Sequence, residues 1–225
     1  MTGCCCQGVE KVFGERTALH DLRRYRRRGP SKPTRILLDA LEREGIEGAT
    51  VLDIGGGVGA IQHELLDAGA ARAAAVEASQ AYMRAAAEEA ERRGHTGRVS
   101  QVRGDFVEVA AAVEPADVVT LDRVICCYAD MESLVGRSAD RARRLYGLVY
   151  PRDSWCVSLA VRATNAGMRL TRRAFRAHLH RTGAVDAVAR EHGLVPKPAR
   201  RAGPVWQVAL YERGTTSASS AFVNA

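Results

Sequence analysis

Lysine and aromatic side chains are scarce in this chain: only Lys11, Lys32 and Lys197 carry an ammonium group, and Phe, Trp and Tyr together make up 5% of residues. Positive charge therefore rests on arginine, with 33 basic against 26 acidic residues and a net charge of +7. Arginine and alanine dominate the helical segments, which points to a broad compositional bias more than to a surface built for a polyanion. No nucleic-acid partner is expected, and an anionic small molecule fits the charge equally well. There is no apolar run of about 18 residues and no leader with an apolar core, so neither a membrane span nor export is expected. The reading is cytoplasmic. The six cysteines stand as Cys4-Cys5-Cys6, Cys126-Cys127 and Cys156, which is not the scatter of a disulfide framework, and they read as reduced thiols.

What the chain does have is a glycine loop. Val51-Leu52-Asp53-Ile54 reads as a buried strand and leads into Gly55, Gly57 and Gly59, after which a helical pattern begins. Glycine suits a turn of positive φ and a backbone that a ligand approaches closely. Short apolar runs then alternate with helical patterns, as in βα units around a parallel sheet. Strands are expected at 50–54, 72–77, 98–103, 116–121 and 146–150, and helices at 59–68, 79–93, 106–112 and 131–144. Later, helices are expected at about 154–170 and 183–192, an extended piece at 175–180, and a hairpin from strands at about 195–201 and 205–212.

The length of 225 residues suits one α/β core with terminal additions. Residues 1–33, with a short helix at about 9–25 and the run Arg23-Arg24-Tyr25-Arg26-Arg27-Arg28, are expected to form a lid. Residues 34–213 form the domain, opening on a helix capped by Ser31, and 214–225 form an unstructured tail.

Three features narrow the ligand. No Gly-Lys-Ser/Thr follows the glycines, which excludes a Walker loop. Asp53 stands before the first glycine, where it can receive a cationic amino group, and that position disfavours a nicotinamide dinucleotide. Glu77 ends the next strand, 24 residues after Asp53, placed to accept from two ribose hydroxyls, with Ala78 beside it. Asp105-Phe106 closes the third strand, where a carboxylate can meet an adenine amino group and a ring can face the base.

With these residues the chain resembles the class I S-adenosylmethionine-dependent methyltransferases over about 34–212. The resemblance implies a Rossmann-like seven-stranded sheet with helices on both faces and an antiparallel last strand. It implies S-adenosyl-L-methionine as cofactor, with Asp53, Gly55 and Gly57 at the methionine side, Glu77 at the ribose, and Asp105 with Phe106 at adenine. The second half is similar to the magnesium-protoporphyrin O-methyltransferases in the segments 121–128, 175–180 and 201–212. That family has a His-Tyr pair after the fourth strand, where this chain has Cys127-Tyr128.

The end of the fourth strand, from Asp122 to Tyr128, is the expected place of methyl transfer, which requires proximity, a lone pair and sometimes a base. Cys127, Tyr128, His178 and His180 are the candidate catalytic residues, with Tyr25 closing from the lid while its neighbouring arginines meet anionic groups on the acceptor. Asp122 is assigned to the cofactor. The expected acceptor is a small molecule offering an oxygen nucleophile. The alternatives are a thiol or a thiophilic metalloid held by the cysteines, with Cys4-Cys5-Cys6 folding over as further ligands, or a cofactor-binding interaction domain without catalysis. No metal site is assigned, and a homodimer is allowed.

Overall fold

The computed structural model describes residues 12–171 and 175–214, so the Cys4-Cys5-Cys6 triplet and nearly all of the expected tail lie outside the described residues. Five parallel strands carry the centre: β1 (Thr50–Ile54), β2 (Arg72–Glu77), β3 (Val99–Arg103), β4 (Ala116–Asp122) and β5 (Ala142–Pro151). Three more complete one edge, β6 (Leu194–Pro196), β7 (Arg200–Ala202) and β8 (Trp206–Arg213). The order across the sheet is β3-β2-β1-β4-β5-β8-β6, and β7 also pairs with β8. β8 runs antiparallel to β5, β6 and β7. The two short strands share the outer edge of β8, so the sheet has the seven positions expected, the last of them broken into two pieces.

Helices cover both faces. On one side α2 (Lys32–Arg43) and α3 (Ala60–Asp67) bring Leu37, Leu41, Ile61 and Leu65 against Val51, Val118, Leu145 and Val149. On the other, Phe106 of the single-turn α5 (Phe106–Val109), Leu134 of α6 (Met131–Ala139) and Val185 of α8 (Thr182–Glu191) meet Leu52, Val119, Leu121 and Leu148. Alternate residues of one strand serve opposite layers, as the two-residue period of a strand requires. α4 (Gln80–Arg93) is capped by Ser79, whose hydroxyl accepts from the Tyr82 N–H.

The amino-terminal helix α1 (Glu15–Arg28) docks on α4 and the glycine loop through Ala18, Leu22 and Tyr25, which pack with Val58, Tyr82 and Ala85. α7 (Trp155–Leu170) is different: of its 16 residues only Val157 is buried. No described helix is long and apolar enough to cross a membrane.

Several expectations change. The helix expected at 131–144 ends at Ala139 and β5 starts at Ala142, because Ala142 pairs with Ala116, and Leu145 with Val118 and Glu212. Residues 175–180 join no strand; the Ala177 N–H donates to Asn165 Oδ1 on α7 and the His178 N–H to the Cys126 carbonyl. Ser31 does occupy the cap position of α2, but its hydroxyl pairs with Thr34 Oγ1 at 2.7 Å and caps no backbone N–H.

Candidate active site

The carboxyl ends of β1, β2 and β4 open onto a cavity of about 400 Å³, walled on the far side by α1 and the start of α2. The glycine loop is its floor. The Gly55 N–H donates to the Val76 carbonyl at 2.7 Å, and Gly55 and Gly57 have φ of 66° and 55°, a region L side chains rarely occupy. A Cβ on Gly55 would lie 2.5 Å from a Val124 methyl group, and one on Gly56 would lie 2.3 Å from Gln62 Nε2. At Gly55 and Gly56 the loop has no room for a side chain.

Asp53 is buried, 1% exposed, in the strand layer beneath this loop. Strand register sets its partner: Asp53 is aligned with Thr120, whose hydroxyl donates to Oδ1 at 2.8 Å, while Gln62 Nε2 donates to Oδ2 at 3.2 Å. Burial outweighs these two bonds, and with the nearby Asp122 and Glu77 charges it pushes the carboxyl up to about 7. Glu77 accepts from the Gly57 N–H at 3.1 Å and the Ser79 N–H at 2.8 Å. Its carboxyl too is raised by burial, against those backbone bonds. The carboxylate keeps acceptor capacity for a further donor. Asp105 caps the turn of α5 through the Val107 N–H and accepts from the Tyr128 hydroxyl at 2.8 Å on both oxygens.

Every residue assigned to the cofactor from sequence lines this one cavity: Asp53, Gly55, Gly57, Glu77, Ala78, Asp105, Phe106 and Asp122. Cys127, Tyr128 and Tyr25 line it as well. His178 and His180 are not among its walls. His180 Nε2 donates to the Tyr128 carbonyl at 2.8 Å and the His178 backbone holds Cys126, so both brace the turn that carries Cys127 and Tyr128. The Tyr25 hydroxyl also donates to Glu64 at 2.8 Å with the Arg93 guanidinium 5.0 Å over its ring, which ties α1 down.

Other walls come from outside the cofactor motifs. Thr34 of α2 donates to Asp122 at 2.6 Å, and Arg123 grips the same carboxylate with two bonds, at 3.0 and 3.1 Å. Arg123 is the one non-glycine residue with positive φ among the described residues, at 63°, a strained conformation at the end of β4. Tyr82 lies against the open side of Gly57 and donates to Asp21 at 2.5 Å. Arg24 lines the cavity from α1 and has no ion pair among the described residues.

Residues 51–144 match the family model described as a methyltransferase domain. Among solved structures, the chain is similar to magnesium protoporphyrin IX methyltransferase of Synechocystis PCC 6803 with S-adenosylhomocysteine bound, at 17% identity over 81% of this chain and 82% of that one, TM-score 0.64. An O-methyltransferase family protein of Burkholderia thailandensis matches at 18% identity over 92% of this chain and 63% of that one, TM-score 0.69. The [4+2]-cyclase SpnF matches at 13% identity over 80% of both chains, TM-score 0.61. No curated protein sequence matches the chain. The fold is that of the class I S-adenosylmethionine-dependent methyltransferases, and residues 51–144 match a methyltransferase-domain model; the Synechocystis neighbour is seen with S-adenosylmethionine or S-adenosylhomocysteine as its cofactor. The residues fit that cofactor: a side-chain-free loop, a carboxylate at each of three successive strand ends, and a cavity joining them.

Proposed function

We propose that the protein transfers a methyl group from S-adenosylmethionine to an oxygen atom of a small anionic acceptor. The observation that carries this reading is Arg24, a cavity arginine whose guanidinium has no carboxylate partner among the described residues, while Arg123 in the same cavity is engaged by Asp122. A planar guanidinium left open in a cavity wall suits a carboxylate. Gly55, Gly57 and Asp53 hold the methionine part, Glu77 and Ala78 the ribose, and Asp105 with Phe106 the adenine. Asp122 borders the reacting end, with Cys127 and Tyr128 toward the acceptor. When bound, the cofactor supplies an electrophilic methyl group on a sulfonium. The chain's own residues then contribute alignment and exclusion of water, and a carboxylate acceptor requires no base. Free thiols at Cys126, Cys127 and Cys156 agree with a reducing cytoplasm.

Two measurements test this. Calorimetry with S-adenosylhomocysteine should give affinity that rises about tenfold per pH unit from roughly pH 5.5 to 7 and then levels off. The sign follows from Asp53, raised to about 7 in the free protein: an incoming ammonium group favours the carboxylate, so below that value binding must expel a proton. Asp53→Asn should flatten the profile. A wild-type profile that is flat, or no binding of either form of the cofactor, would overturn the assignment. For the acceptor, Arg24→Gln should raise KM for carboxylate acceptors by tenfold or more, as a single charge-assisted bond of about 1.5–3 kcal/mol implies, with kcat little changed. Equal KM in both proteins would remove Arg24 from the acceptor site.

A further inference from the structure

Two consecutive cysteines ordinarily diverge, yet on the short turn after β4 both sulfurs turn back onto one atom. Cys126 Sγ lies 3.3 Å and Cys127 Sγ 3.6 Å from the Arg123 carbonyl oxygen. The turn that presents them is fixed from several sides. The Arg123 N–H donates to Val149, the Cys127 N–H to Val124 and the His178 N–H to Cys126, all at 2.7 or 2.8 Å. Cys127 is part of the cavity wall. No set of three or more His, Cys, Asp or Glu side chains among the described residues could hold a metal ion, so this pair offers two sulfur ligands and no more. A zinc site, which takes four ligands, does not match it. A trivalent arsenic centre that already carries one carbon substituent has two exchangeable positions and a strong preference for soft thiolates.

We propose that Cys126 and Cys127 form a dithiol site for a monoorganoarsenic(III) species. In the reaction RAs(OH)2 + 2 Cys-SH → RAs(S-Cys)2 + 2 H2O, two As–O bonds break and two As–S bonds form. Each hydroxide leaves as water with one thiol proton. Arsenic stays trivalent and no oxidant or reductant is needed. That the adduct would occupy the acceptor side of the cavity rests on the methyl-transfer reading; the chelation itself does not.

The probe is phenylarsine oxide, which hydrates to such a species, applied to the full chain with Cys4, Cys5, Cys6 and Cys156 replaced by serine. Intact mass should show one phenylarsenic adduct per chain. Added Cys126→Ser or Cys127→Ser should each weaken retention by at least 50-fold against a competing monothiol, since one thiolate cannot chelate. Circular dichroism and S-adenosylhomocysteine binding of the same variants report folding and the cofactor site separately. Retention that survives either single replacement in a folded variant, or no adduct in the background protein, would overturn the proposal. Loss of cofactor binding in the background protein with the adduct intact would count against the methyl-transfer reading alone.

Discussion

The Gly55→Ala variant is expected to keep its fold and lose about 10- to 100-fold in affinity for S-adenosylhomocysteine. Two costs coincide at this position. An L residue held at φ 66° is strained by about 1–3 kcal/mol. The added Cβ would also stand 2.5 Å from one Val124 methyl group and 3.3 Å from the other, so rotating the valine exchanges one clash for another. Val124 cannot retreat cheaply. Its carbonyl accepts from the Cys127 N–H at 2.8 Å, and the residue before it is already in the left-handed region with its N–H bound to Val149. Relief therefore moves the glycine loop or the turn carrying Cys127 and Tyr128, and both are walls of the cavity. Since 1.4 kcal/mol is a factor of ten, the strain alone accounts for the lower bound. Adding Val124→Ala should recover the steric part and leave the strain. Calorimetry and urea unfolding of the three proteins separate the two terms, and a Gly55→Ala protein that binds within twofold of wild type would contradict the role given to the loop.

The parts of the site that sequence discloses are those set by local pattern. Asp53 and Glu77 each end an apolar or β-branched run and Asp105 follows the end of the third strand, so their places at neighbouring strand ends follow from the order of elements, and the structure brings them to one cavity. Thr34 and Tyr82 reach the same cavity from helices far away in the chain, and no spacing announces that. Around Tyr25 the packing is masked by composition. Its neighbours are arginines, which suggested a solvated lid, yet Ala18, Leu22 and Tyr25 fall at i, i+4 and i+7, the stripe of a packed helix, and all three are buried. The start of β5 is hidden by Ala142-Arg143-Arg144, good helix formers that the pairing of Ala142 with Ala116 of β4 overrules. His178 and His180 have strand spacing, but 175–180 finds no strand to pair with and instead braces the turn at 126–128.

Glu89→Gln is expected to cost roughly 3 kcal/mol of stability at pH 7 and to loosen α1 from the domain. The Glu89 carboxylate is inaccessible to solvent and is met by Arg26 Nε at 2.8 Å, Arg93 Nε at 2.9 Å and two nitrogens of Arg92 at 2.9 and 2.5 Å. Burial raises its pKa, but the bonds from Arg92, Arg26 and Arg93 prevail and bring it down to about 2. Removing one member of a buried ionic cluster leaves the others uncompensated, which typically costs about 3–5 kcal/mol. The partly exposed arginines place the estimate at the low end. The pH dependence has a definite sign. A carboxylate depressed in the folded state binds fewer protons there than in the unfolded chain, so its stabilisation is full above about 4.5 and is lost as pH falls toward 2. The gap between wild type and Glu89→Gln in urea unfolding should therefore shrink by roughly 1 kcal/mol from pH 7 to pH 4. Arg26 is the member of the cluster that belongs to α1, the helix that also contributes Arg24 and Tyr25 to the cavity. A loosened α1 should weaken binding on the acceptor side more than cofactor binding, which the strand ends hold. If Glu89→Gln unfolds within 0.5 kcal/mol of wild type at pH 7, α1 is held by its apolar stripe alone and the ionic cluster is a surface feature.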